Sequence, residues 1–263
     1  MKKPPCHLYI DIHAHILPGF DDGPETVQDS IEMARAYVDA GYAAVVATPH
    51  VIPGIYENTR SSIHRGVRHL QQHLREAGIP LTVLPGAEYH LTGQLIPLLQ
   101  SGELLTLNDT GKYLLVELPA MHLPDYTSQV IFDLLLAGVT PVIAHPERND
   151  FLSRHPEALA EMSRKGVLAQ VTAGALTGLF GAAQKRACER FIEKGSAQFV
   201  ATDAHSSGWR LQAGAKAAQL LGVRARALMS ENPAAVIEGG VLEAAAFREE
   251  DASKSWWSSR FGK

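Results

Sequence analysis

The histidines and acids of this chain fall into short groups. They are DIHAH at Asp11–His15, DDGP at Asp21–Pro24, ATPH ending at His50, PGAE ending at Glu88 and LLVE ending at Glu117. AHPER then carries His145 and Arg148, and TDAH carries Asp203 and His205. Imidazole and carboxylate without thiolate suit zinc, manganese, iron or nickel and do not choose among them. His13 and His15 are two residues apart, as are Asp203 and His205, so each pair shares a face of an extended strand. A single buried histidine is more often a satisfied core residue. That reading fails for His13, His15, Asp22, His50, Glu88, Glu117, His145, Asp203 and His205 taken together. These are too many for one ion, which takes roughly four or five ligands. Two or three clustered ions with a bridging carboxylate are therefore expected. Such clusters generate hydroxide at neutral pH and clamp the oxygens of a transferring phosphoryl group. Arg148, after His145, and Arg210, after His205, offer forked donors for phosphate oxygens.

Something must bring these groups to one place. Seven apolar, β-branched-rich runs recur at 8–14, 43–49, 81–87, 113–119, 140–146, 166–172 and 198–204. They read as strands covered on both faces, as in a parallel sheet. Amphipathic stretches follow them at 24–40, 59–77, 92–100, 125–137, 156–165, 182–194 and 210–221. Several end at a glycine (Gly41, Gly78, Gly138, Gly166 and Gly195), the residue that supplies a left-handed helix cap. Strand and helix alternating in this way predict a parallel α/β barrel or an open α/β sheet. Six of the seven runs carry His, Asp or Glu at or just past their C-terminal ends, where α/β barrels build active sites.

The 263 residues, 46% hydrophobic and 20% charged, suffice for one large domain with a sizeable core. Residues 1–240 read as the barrel domain and 241–263 as a mobile tail. In that tail Trp256 and Trp257, followed by Arg260 and Lys263, are read first as folding back or as having no role, with docking on a partner or membrane surface as the alternative. A net charge of −4 gives no general basic field for nucleic acid. The start of the chain is a poor signal peptide, and no window reaches a membrane span, so a cytoplasmic location is expected. Cys6 and Cys188 form no disulfide framework. Neither is followed six positions on by Arg, since Ile12 and Lys194 stand there. A thiolate phosphate loop is therefore excluded.

DIHAH, DDGP, ATPH, PGAE, VELP, AHPER and TDAH together resemble the polymerase and histidinol phosphatase (PHP) superfamily. Within it they most resemble the manganese-dependent protein tyrosine phosphatases of bacterial capsule and exopolysaccharide clusters, the CpsB/YwqE type. The resemblance spans roughly residues 8–235, including Glu231–Pro233. It implies an α/β fold, a distorted (β/α)7 PHP barrel, with the metal site at the C-terminal mouth of the strands. It implies two or three divalent ions, manganese first, with Fe, Zn, Mg and Co as alternatives. All nine residues named above would be ligands, with Glu88 and Asp203 as bridges. Asp22 matches the family's second aspartate better than Asp21 does. Arg148, Arg210 and Asp22 are the implied catalytic residues. The implied substrate is phosphotyrosine on a cognate bacterial tyrosine autokinase that controls polysaccharide synthesis. Contact with the membrane would then be indirect, through the kinase or the tail. A small-molecule phosphomonoesterase of the histidinol-phosphatase type is the nearest alternative. A PHP exonuclease and a non-catalytic metal-stabilised scaffold are further rivals.

The remaining histidines read more plainly. His64, His69 and His73 belong to a solvated helix face. His90 shares a strand face with Glu88 and suits a supporting or substrate role. His7, His122 and His155 read as peripheral, although Tyr56 and the Met121–His122 pair sit in loops positioned to line the mouth.

Overall fold

Each apolar run becomes a parallel strand with a helix behind it. The computed structural model describes residues 9–242. The strands are β1 (Tyr9–Ala14), β2 (Tyr42–Ala47), β3 (His50–Val51), β4 (Thr82–Pro85), β5 (Glu88–His90), β6 (Tyr113–Glu117), β7 (Thr140–Ala144), β8 (Leu168–Thr172) and β9 (Phe199–Ala201). All their pairings are parallel, in the orders β1-β2-β4 and β3-β5-β6-β7-β8-β9. A bridge between Ala14 and Ala204 joins β1 to the end of β9. His15 N–H donates to Ala204 O at 2.9 Å, and Asp203 N–H donates to His13 O at 3.0 Å. The result is a distorted barrel.

The distortion is local. Two of the expected runs, 43–49 (β2) and 81–87 (β4), are each followed by a further short strand that sequence reading did not separate, β3 and β5. Pro49 lacks a donor, and Pro85–Gly86 interrupts the second run, so both ladders break at one level. A Cβ on Gly86 would lie 2.6 Å from Val46 Cγ1, so the Val46 side chain packs into space that glycine leaves open at that break.

The helices are α1 (Val27–Asp39), α2 (Arg60–Glu76), α3 (Leu95–Gln100), α4 (Thr127–Leu136), α5 (Asp150–Arg154), α6 (Pro156–Arg164), α7 (Ala173–Leu176), α8 (Ala182–Glu193), α9 (Trp209–Leu221), α10 (Arg224–Arg226) and α11 (Asn232–Ile237). α1 begins later than position 24 because Thr26 caps it, in a capping box with Asp29. Alternation along β6 sorts the core. Tyr113 and Leu115 join the inner cluster with Ile12, Val142, Leu168 and Phe199, while Leu114 and Val116 face the helices. Glu117 continues the inner parity.

Residues 237–242 are tied to the barrel. Asn108 Nδ2 donates to Ile237 O at 2.8 Å, Tyr113 OH donates to Gly240 O at 2.7 Å, and Leu242 N–H donates to Tyr113 OH at 3.0 Å. Of the expected tail, 241–263, all but Val241 and Leu242 lies outside the described residues, as do Cys6 and His7. Among the described residues no helix is long and apolar enough to cross a membrane.

Candidate metal centre

β1 carries the first two histidines, and its irregularity aims them. Asp11 pairs with Val45 and Ala14 with Ala47, so three steps on β1 oppose two on β2. This bulge separates Asp11 from His13 in direction. Asp11 is fully buried and accepts from Tyr37 OH of α1 at 2.9 Å and from the Thr202 hydroxyl. His13 instead meets Gln170 of β8, Nδ1 to Oε1 at 2.8 Å. His15 Nδ1 meets Asp21 Oδ2 at 2.6 Å. Both outer nitrogens are thus engaged as donors, which leaves both Nε2 lone pairs pointing inward.

Those Nε2 atoms lie 3.3 Å apart. Glu88 Oε2 is 3.2 Å from His13 Nε2, 3.4 Å from His15 Nε2 and 3.1 Å from His50 Nδ1. Asp203 Oδ1 is 3.3 Å from both His13 and His15. His145 Nε2 meets Glu88 Oε1 at 2.8 Å and lies 3.8 Å from Glu117 Oε1. His205 stacks on His15 with centroids 3.9 Å apart and meets Asp22 Oδ1 at 3.2 Å. All nine sequence-expected ligands therefore stand at one end of the barrel. Their ligand atoms form three overlapping groups: His15, Asp22, His50 and His205; His13, His15 and Glu88; and His50, Glu88 and Glu117. His145 and Asp203 flank these groups through Glu88 and His13. His145 and Asp203 take φ of +32° and +52°, unusual for side-chain-bearing residues, so local backbone strain is spent on aiming them.

The electrostatics ask for cations. Burial alone favours a neutral Glu88, yet the surrounding imidazoles, His13 foremost, hold its carboxyl well below the usual range. Burial likewise opposes a charged His15, yet Asp203, Asp21 and Glu88 hold its imidazole well above the ordinary value. Asp22 is pushed down to about 2, first by its hydrogen bond from His205. Glu88 Oε2 and His50 Nδ1 are buried without a hydrogen-bond partner. Orphaned lone pairs on buried oxygen and nitrogen, beside convergent carboxylates, fit divalent cations.

Both arginines converge on Asp203. Arg148 Nη2 donates to Oδ2, and Arg210 Nη1 reaches Oδ2 at 3.1 Å and the Asp203 carbonyl at 3.0 Å. Phe180 lies against both guanidiniums, with Arg148 Cζ 5.0 Å and Arg210 Cζ 5.9 Å from its ring centroid. Tyr56 stacks parallel to His50 at 5.7 Å. Met121 and His122 line a cleft of about 540 Å³ with Tyr126, Asp150 and Arg154, but none of the nine ligand residues lines it. His90 Nδ1 lies 3.6 Å from Glu117 Oε2, a supporting position. His69 and His73 meet each other on the exposed side of α2.

Three contributors escape a reading by strand ends. Gln170 sits inside the one run that ends in no acid or histidine; a lone amide in an apolar strand was its signal. Asp21 is buried against His15, whereas Asp22 is about half exposed at the rim. Phe180 belongs to a TGLFG loop with no chemical signature.

The family described as "Capsular polysaccharide synthesis, CpsB/CapC" matches residues 9–238. The chain is 45% identical over 197 residues to tyrosine-protein phosphatase YwqE of Bacillus subtilis, covering 75% of this chain and 77% of that one. It is 29% identical over 202 residues to tyrosine-protein phosphatase CpsB of Streptococcus agalactiae, covering 75% and 83%. A solved structure described as YwqE from Bacillus subtilis and CpsB from Streptococcus pneumoniae, "unique metal-dependent tyrosine phosphatases", superposes with a TM-score of 0.82. It is 38% identical and covers 89% of this chain and 96% of that one. A phosphotriesterase homology protein from Escherichia coli shares the fold at TM-score 0.57 and 12% identity, covering 89% and 99%.

Proposed function

Because this chain belongs to the CpsB/CapC family, we propose that it is a metal-dependent protein-tyrosine phosphatase acting on a bacterial tyrosine autokinase in capsule or exopolysaccharide synthesis. One observation carries the reading. Nine imidazole and carboxylate side chains and two arginines converge at the barrel mouth, with Asp203 between the two sets. The relatives' names supply the substrate class.

His13, His15, Asp22, His50, Glu88, Glu117, His145, Asp203 and His205 would hold two or three divalent ions, manganese first. Bound there, such ions supply Lewis acidity, which activates a water and neutralises phosphoryl charge. The chain's own residues do the rest. Gln170 and Asp21 keep His13 and His15 in the tautomers that present Nε2. Asp22, at the exposed rim, closes the ligand set on the solvent side. Arg148 and Arg210 bind the phosphoryl oxygens and stabilise charge on them as the bond to the phenolate breaks. The phenol, with a pKa of about 10, departs with modest help. The barrel is read as one domain over 1–240, with 241–263 as an appended tail, working in the cytoplasm.

The test is phosphate release from a phosphotyrosine peptide with manganese supplied, with histidinol phosphate run in parallel. Peptide turnover that stops with chelator and survives cysteine alkylation is expected. Burial pushes the Cys188 thiol well up, which keeps it unreactive. Turnover of histidinol phosphate alone would move the centre to small-molecule chemistry. Loss on alkylation with metals retained would overturn the metal-centred mechanism.

A further inference from the structure

We propose that Phe180 is a positioning residue for phosphate: its ring holds the Arg148 and Arg210 guanidiniums side by side at the mouth. The inference rests on the phosphatase reading for its purpose and on geometry for its content.

Two guanidiniums share one carboxylate oxygen, Asp203 Oδ2. The other oxygen, Oδ1, faces His13 and His15. Asp203 is divided among five basic groups, His205 included, and so offsets only part of the repulsion between the two arginines, although buried Glu147 also draws Arg148. The Phe180 ring adds an attraction common to both, and Trp209 extends it to Arg210. Trp209 meets Phe180 edge-on at 5.4 Å, and Arg210 Cζ lies 5.4 Å from the Trp209 ring. An acidic residue in this place would also gather the arginines, but it would repel an incoming phosphate dianion. A π face attracts the cations without carrying net charge.

The ring is seated rather than loosely laid. A Cβ on Gly174 would lie 2.9 Å from Phe180 Cε2, so the start of α7 is hollowed for the ring. Thr172, which caps α7, donates its hydroxyl to buried Glu147 at 2.7 Å, next to Arg148 in the chain. The loop bearing Phe180 and the loop bearing Arg148 are thereby fixed to one another.

The experiment uses the metal-loaded protein and reads two quantities: the affinity for inorganic phosphate by calorimetry and KM for a phosphotyrosine peptide. Phe180→Leu fills most of the same volume without a π face. It is expected to weaken phosphate binding and raise KM by roughly 2- to 30-fold, with bound metal unchanged. Phe180→Tyr restores both quantities. In an Arg148→Ala, Arg210→Ala background, Phe180→Leu adds nothing further. A leucine variant equal to the wild type overturns the proposal, as does a tyrosine variant as poor as leucine. Loss of metal or a collapsed melting temperature in the leucine variant makes Phe180 structural and overturns it too. If phosphate binding depends on Phe180 while phosphotyrosine is not turned over, the phosphatase reading fails and the positioning role stands.

Discussion

At the scale of single residues, the centre depends on side chains that never face a substrate. Gln170 Oε1 accepts a hydrogen bond from His13 Nδ1–H at the bottom of the site, and both residues are fully buried. Gln170→Leu leaves that donor without a partner and frees the ring to rotate. Metal affinity is expected to fall about 10- to 100-fold, as for other supporting partners of ligand histidines. Metal titration monitored by calorimetry checks this. Eight of the nine ligand candidates were legible in the sequence because polar groups at or just past the ends of apolar runs have no cheap alternative explanation, while Asp22, in the DDGP loop, is preferred to Asp21 on the resemblance. Gln170 and Phe180 were not legible. An amide and a phenyl ring are ordinary inside a fold, and only three-dimensional proximity to His13 or to two guanidiniums gives them a task.

At the scale of elements, aim comes from irregularity. The bulge in β1 and the breaks at Pro49 and Gly86 turn regular strands into carriers of His13, His50 and Glu88. Hydrophobic alternation reveals that a strand exists but not where it shifts register, so the short strands β3 and β5 and the bulge were not legible. α9 illustrates how close packing serves the site. A Cβ on Gly214 would lie 2.4 Å from Tyr42 OH and 3.3 Å from Thr202 Cγ2, so glycine lets this helix lie down on the barrel with Arg210 in its first turn. Gly214→Ala should push α9 outward. A loss of about 1–3 kcal/mol in urea unfolding is expected, together with a raised KM from the displaced Arg210. Unchanged kinetics would detach the helix seat from arginine placement.

At the scale of the whole molecule, the buried charges tie stability to pH and metal. Without metal, Glu88 and Asp203 are held well below their ordinary range, by His13 foremost among the groups that outweigh burial. Their contribution is present above about pH 4.5 and is lost as pH falls through the depressed values. His13 and His15 are raised, as Glu88 and Asp203 outweigh burial. Their contribution is full below about pH 6.5 and is lost as pH rises through the raised values. Chelator-treated protein should therefore melt highest between about pH 4.5 and 6.5. Added manganese should stabilise more at higher pH, where fewer protons must be displaced. Thermal melts across pH, with and without metal, read both effects. The seam between Ala14 and Ala204 has a consequence for biosynthesis. His13 and His15 are made with the first strand of the barrel, while the wall that completes their cluster, Asp203 and His205, follows its last strand. A nascent chain stalled before β9 holds an open sheet with seven of the nine cluster residues and neither Asp203 nor His205. Whatever chemistry the finished centre performs begins only after the ring shuts, so incomplete chains on the polysome are silent.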